Sequence, residues 1–393
     1  MSDNPKVKDQ RKNKIWKRAK LERRIMYVSS ALIGVAIGRL TVKYTEPIFA
    51  DIESLGEYFL CWLGFIGVMY IAMYIQVILH ESGHLIFGLL TGYHFESFRV
   101  GSFLLKWESG RLRLCRFSLF RTLGQCLMAP PEMIDGKIPY VLYHMGGVIV
   151  NIVTAVVFGV CYLFCSGKAV PSLAFLLLTA FSAMMALANG IPLYLGNDGY
   201  NVISIGESSE ALRSNWLRLK VNELISKGER LKEMPEEWFV MPSEEAMENR
   251  MVAAVGVLCY NRILDKMDLE KAASTATELL EMETGMSELH RRLLIVDRVY
   301  FELIDQNRRG LVDSWLDKDQ KSFMKSMKNY PSVLRTEYAY ALLAEHDRGK
   351  FEKIREKFEK MAKTYPDPAE LEGERELMDY AVQVAEARMS AIN

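Results

Sequence analysis

Tyr58-Phe-Leu-Cys-Trp-Leu-Gly-Phe-Ile-Gly-Val-Met-Tyr-Ile-Ala-Met-Tyr-Ile-Gln-Val-Ile-Leu79 runs without a break into His80-Glu81-Ser82-Gly83-His84, and on to Leu85–Leu90. The first part is uncharged and long enough to cross about 30 Å of hydrocarbon as a helix. The second part places three ionisable side chains directly beside it. Such groups are expensive in a bilayer, so they must face protein, water or a metal. On a helix, residues four apart share one face. His80 and His84 can therefore reach one Zn²⁺, with Glu81 beside them as the base of an H-E-x-x-H motif.

Working outward, two more long apolar runs follow, Tyr140–Cys165 and Val170–Leu195, and a weaker one precedes, Ile25–Val42, interrupted by Arg39. The expected count is four crossings. Lys and Arg in the short connections orient them. The first 24 residues are strongly basic, and Thr45–Glu57 has four acids and no base. The 94–139 connection carries Arg99, Lys106, Arg111, Arg113, Arg116, Arg121 and Lys137, while Ser166–Ala169 has only Lys168. Both termini and the 94–139 connection then lie in the cytoplasm. Without the first crossing the basic connection would lie outside, against the bias. The expected setting is a cell membrane, multi-pass and bacterial.

The chain totals hide this organisation. In 393 residues, 49 Lys and Arg balance 49 Asp and Glu, and the mean hydropathy is +0.02. Split after residue 205, the halves hold 20 bases against 13 acids and 29 against 36, net charges of +7 and −7. A membrane half and a charged soluble half have been averaged. With no global basic field, nucleic acid is not an expected partner. Half the residues are hydrophobic, which excludes intrinsic disorder, and six Cys without a CxxC argue against a disulfide scaffold.

The expected fold class is mainly α. It has a basic N-terminal segment (1–24), a polytopic membrane domain (25–205) and a soluble all-α domain (206–393). Within 94–139, alternation such as Arg111-Leu-Arg-Leu-Cys-Arg-Phe117 predicts a small β region at the membrane surface. In the last domain, Lys328-Asn-Tyr-Pro331 and Lys363-Thr-Tyr-Pro366 recur 35 residues apart, and Gly349-Lys-Phe351 and Asp268-Leu-Glu-Lys-Ala272 resemble parts of a tetratricopeptide unit. An unrelated helical bundle is the alternative.

A zinc hydrolase needs a third protein ligand at the depth of His84. The last apolar run closes with Asn189-Gly-Ile-Pro192-Leu-Tyr-Leu-Gly-Asn197-Asp198-Gly199, which puts Asp198 towards the cytoplasmic end. Asp198 is therefore the candidate ligand, its alternative role being the cap of the next helix. The run before supplies Gly146-Gly147-Val-Ile-Val-Asn151. The glycines suit close helix packing, and Asn151 suits a substrate backbone or an oxyanion.

His80–His84, Gly147 to Asn151 and Asn189…Pro192…Asp198-Gly199, in that order, resemble the site-2 protease family of intramembrane zinc metalloproteases (peptidase family M50) across residues 55–205. The Asn189–Asp198 spacing is one residue longer than the family pattern, Tyr200 stands where a second Gly is usual, and no PDZ-like region is visible. The resemblance implies a three-helix core, one zinc ion on His80, His84 and Asp198, Glu81 as general base, and membrane-embedded substrates. The expected partners are a single-span membrane protein or peptide as substrate, the lipid bilayer, and a protein docked on the C-terminal helices. The competing class is a non-catalytic membrane scaffold or receptor with a structural zinc site, which would fill its fourth position with another protein ligand.

Overall fold

The computed structural model describes residues 52–108, 110–117, 122–165, 168–192 and 196–392, with scattered positions from 24 to 50. Of the basic segment 1–24 only Arg24 is described, and of the Ile25–Val42 crossing ten of eighteen positions are described, all helical. The chain divides into two units. One ends at Thr91 and resumes over Pro139–Ile203; the other joins Gly92–Ile138 to Ser204–Asn393.

The first unit is built from α1 (Leu55–Leu90), α2 (Tyr140–Phe164), α3 (Ala169–Gly190) and the start of α4 (Asp198–Gly206). The first three are long and apolar enough to cross a membrane. At 1.5 Å per residue the 36 residues of α1 span about 54 Å, more than the hydrocarbon thickness. Ser54 caps its N-terminus by accepting from Glu57 N at 3.2 Å. The burial pattern inverts that of a water-soluble helix. Phe59, Leu60, Leu63, Ile66 and Ile71 are exposed, whereas Gln76, His80, Glu81 and His84 are buried. That inversion is what lipid on the outside and polar chemistry on the inside require. The helices approach closely through glycine: a Cβ on Gly83 would collide with the backbone of Gly146, and one on Gly146 with that of Gly83.

The second unit opens with a four-stranded antiparallel sheet, as the alternation predicted. Its strands are β1 (His94–Val100), β2 (Phe103–Glu108), β3 (Arg111–Arg116) and β4 (Gly124–Ala129), in the order β3-β2-β1-β4. Two-residue connections fix the register, pairing Val100 with Phe103 and Glu108 with Arg111. Among the described residues β3 is an edge strand, with all but Cys115 exposed.

The helices α5 (Ser209–Ser226), α6 (Arg250–Asp265), α7 (Leu269–Glu281), α8 (Glu288–Ile304), α9 (Arg309–Trp315), α10 (Lys318–Ser326), α11 (Pro331–Leu343), α12 (Arg348–Ala362) and α13 (Pro368–Ile392) complete this unit. Three helix-to-helix turns share one device. Met267, Asn307 and His346 adopt positive φ (59°, 53° and 54°), and the next residue, Asp268, Arg308 or Asp347, is the N-cap of the following helix. The turns join α6 to α7, α8 to α9 and α11 to α12 as αα-hairpins. They recur at intervals of 40 and 39 residues, longer than the roughly 34 of a tetratricopeptide unit.

A buried charge cluster ties these hairpins together. Arg335 is fully buried and pairs with Asp297, which accepts from Tyr260 Oη at 3.0 Å; Glu374 of α13 lies 3.4 Å from Arg335 Nε. Burial pushes the Glu374 carboxyl up to about 7, assisted by Asp297 and opposed by Arg335. A carboxyl raised from 4.5 in the folded state binds its proton more tightly than in the unfolded chain. Its contribution to stability is therefore present below about pH 4.5 and lost as pH rises towards 7. Thermal unfolding of the full chain in detergent is expected at a lower temperature at pH 8 than at pH 5, and Glu374→Gln reduces that difference.

Candidate metal centre

His80 and His84 lie one turn apart on the buried face of α1, with their Nε2 atoms 3.2 Å apart. Asp198, the first residue of α4, brings Oδ2 to 3.1 Å from His80 Nε2 and 3.6 Å from His84 Nε2. The edges of a tetrahedron around a zinc ion with bonds near 2.05 Å measure about 3.3 Å. The three donor atoms therefore stand at the mutual distances a single zinc ion demands. Among the described residues no fourth His, Cys, Asp or Glu joins the three.

His80 Nδ1 lies 2.6 Å from Asn151 Oδ1, and His84 Nδ1 lies 2.9 Å from the carbonyl of Tyr143. Both partners are acceptors, so each neutral imidazole donates from Nδ1 and keeps a bare lone pair on Nε2. Two lone pairs and a carboxylate oxygen then face one another in a buried space, and Asp198 Oδ2 has no hydrogen-bond donor of its own. Three such atoms this close need a positive charge among them, a metal ion or a proton on one imidazole. The Nδ1 bonds also fix ring orientation, as partners behind metal-bound histidines do. The residues fit zinc.

Local sequence explains how Asp198 is free to serve. Asn197, not Asp198, does the capping. Its Oδ1 accepts from Tyr200 N at 2.8 Å, and its Nδ2 donates to the carbonyls of Ala188 (2.8 Å) and Ile191 (2.6 Å) at the end of α3. One amide thus staples the end of α3 to the start of α4. The absent Cβ of Gly199 lets the chain pass against the Gly190 carbonyl. Gly147 is as demanding, because a Cβ there would stand 2.7 Å from both nitrogens of the His80 ring. Gly147→Ala is expected to destabilise the chain by about 1–3 kcal/mol through overpacking and to lower zinc affinity, which thermal unfolding and a chelator competition would read.

Glu81 is buried and close enough for its charge to act on His84. Asn151, expected from sequence to meet a substrate backbone or an oxyanion, is held against His80 instead. Its Nδ2 donates to Gln76 Oε1 at 3.4 Å. No motif marks Gln76 or Ser182 in the sequence. The available signal was Gln76 as the lone carboxamide in the Tyr58–Leu79 run, one helical turn before His80.

A sequence profile of peptidase family M50 matches residues 68–368, which takes in the H-E-x-x-H helix, the sheet, Asp198 and most of the C-terminal helices. The chain belongs to peptidase family M50. Members of that family are zinc metalloproteases, and His80, His84 and Asp198 of this M50 chain form a group that could hold a metal ion. No curated protein and no solved structure matches the chain.

Proposed function

We propose that the chain is an intramembrane zinc metalloprotease, in the manner of the site-2 proteases, that cleaves membrane-embedded proteins or peptides. The observation that carries this reading is the convergence of His80 Nε2, His84 Nε2 and Asp198 Oδ2 on helices apolar enough to span a bilayer. One zinc ion held there supplies Lewis acidity, lowering the pKa of a water towards 7 and polarising the scissile carbonyl.

The chain's own residues do the rest. Glu81 takes the proton of the attacking water and later gives it to the leaving amine. Asn151 and the Tyr143 carbonyl hold the two imidazoles in the tautomer that leaves Nε2 free. Among the described residues only three protein donors converge, which supports a catalytic over a structural site that would close its fourth position with protein.

A substrate helix in lipid has its backbone carbonyls hydrogen-bonded, so it must unwind before attack. The edge strand β3 supplies backbone groups that an extended segment can join. The substrate in this reading is a single-span membrane protein or a small peptide, and the setting is a cell membrane with both chain termini cytoplasmic. The recurring hairpins of the C-terminal helices support a repeat-like array on which a partner protein docks. Membrane and released peptides from cells carrying the wild-type protein, compared with those from cells carrying Glu81→Ala, test the proposal. Wild type should release fragments that the variant leaves intact, and identical peptide profiles would contradict it.

A further inference from the structure

Resting on that reading, we infer that Gln76 and Ser182 are positioning residues: a directional hydrogen-bond relay through three membrane helices, ending on a backbone carbonyl, fixes the zinc-binding tautomer of His80. Gln76 is fully buried in α1, where an unsatisfied amide would be costly. Its Nε2 donates to the carbonyl of Leu178 in α3 at 3.2 Å, and a carbonyl can only accept. That bond fixes which end of the Gln76 amide is oxygen. Ser182 Oγ, able to donate or accept, follows that choice and satisfies the oxygen by donating to Oε1 at 2.8 Å. Oε1 in turn accepts from Asn151 Nδ2 at 3.4 Å, so Asn151 must turn its oxygen to His80 Nδ1 at 2.6 Å.

The direction matters because Asn151 is nearly symmetric in shape. Flipped by 180°, it would present NH₂ to His80 Nδ1, and the imidazole would have to carry its proton on Nε2. A protonated Nε2 cannot bind a metal. The relay removes this alternative from a distance, through groups that do not touch the metal centre. Side chains that orient metal ligands typically affect metal affinity by 10- to 100-fold.

The test uses the full chain in detergent, with Zn²⁺ affinity read by chelator competition and the visible absorption of bound Co²⁺ as a signature of ligand geometry. Gln76→Met keeps the volume and removes the relay; it is expected to lower Zn²⁺ affinity about 10- to 100-fold and to alter the Co²⁺ spectrum. Ser182→Ala, a milder change, should shift affinity in the same direction. Gln76→Glu with a protonated carboxyl keeps the donor and acceptor order and should bind like wild type.

The decisive variant is Gln76→Met combined with Asn151→Asp. A carboxylate accepts from His80 whichever way it turns, so the relay is no longer needed and affinity returns towards wild type. Loss of packing would instead persist in that background. Wild-type Zn²⁺ affinity and an unchanged Co²⁺ spectrum in Gln76→Met would overturn the inference alone. So would an equal loss with and without Asn151→Asp. A wild-type chain that binds no zinc would overturn the metalloprotease reading as well.

Discussion

Glu81→Gln will bind zinc as the wild type does and will cleave its substrate about 10²- to 10⁴-fold more slowly. The substitution preserves size and leaves His80, His84 and Asp198 untouched, so the three donors keep their 3.1–3.6 Å separations. What it removes is the only function assigned to Glu81, carrying a proton from water to the leaving amine. A glutamine amide cannot accept that proton. Metal analysis of purified protein and a cleavage assay on a reconstituted single-span substrate read the two halves separately. Retained turnover in this variant would sink the mechanism, and loss of zinc would make Glu81 a ligand rather than a base.

The second large effect is at Asp198. Asp198→Ala deletes one of three donors and leaves two neutral imidazoles to hold the ion. The loss of zinc affinity should exceed the 10- to 100-fold seen when only a supporting group is removed, and activity should fall with it. The fold should change little, because Asn197 rather than Asp198 staples α3 to α4. Chelator competition and thermal unfolding distinguish these outcomes. A variant that keeps zinc would show that the carboxylate is only an ion-pair partner of the histidines.

Much of this site can be read from the residues alone, for a physical reason. A His-x-x-x-His pair on a helix is a local pattern, and its position beside an uncharged run is incompatible with an ordinary surface. Asp198 can be found because Pro192 closes the last apolar run shortly before it, although Gly199, expected to break the helix as well, lies inside α4. The strands of 94–117 announce themselves by alternation, and β1 to β3 follow it.

Pairwise geometry between distant segments is where the sequence becomes opaque. Asn151 looks free to meet substrate until the fold places His80 2.6 Å away. Gln76 and Ser182 lie 106 residues apart and acquire meaning only when α1 and α3 pack. The membership of Gly92–Ile138 in one unit with the C-terminal helices depends on contacts such as Lys106 Nζ donating to the carbonyl of Pro366 at 2.6 Å, which no periodicity announces. The capping role of Asn197 is hidden because Asp198 beside it is an equally good capping residue.

In the proposed function cleavage takes place within the bilayer. Its most direct test is the mass of the fragments produced when the purified protein and a single-span substrate share a liposome. New termini inside the substrate's apolar segment, formed by the wild type and absent with Glu81→Gln, are expected. Termini confined to the aqueous flanks, or the same fragments from the variant, would contradict it.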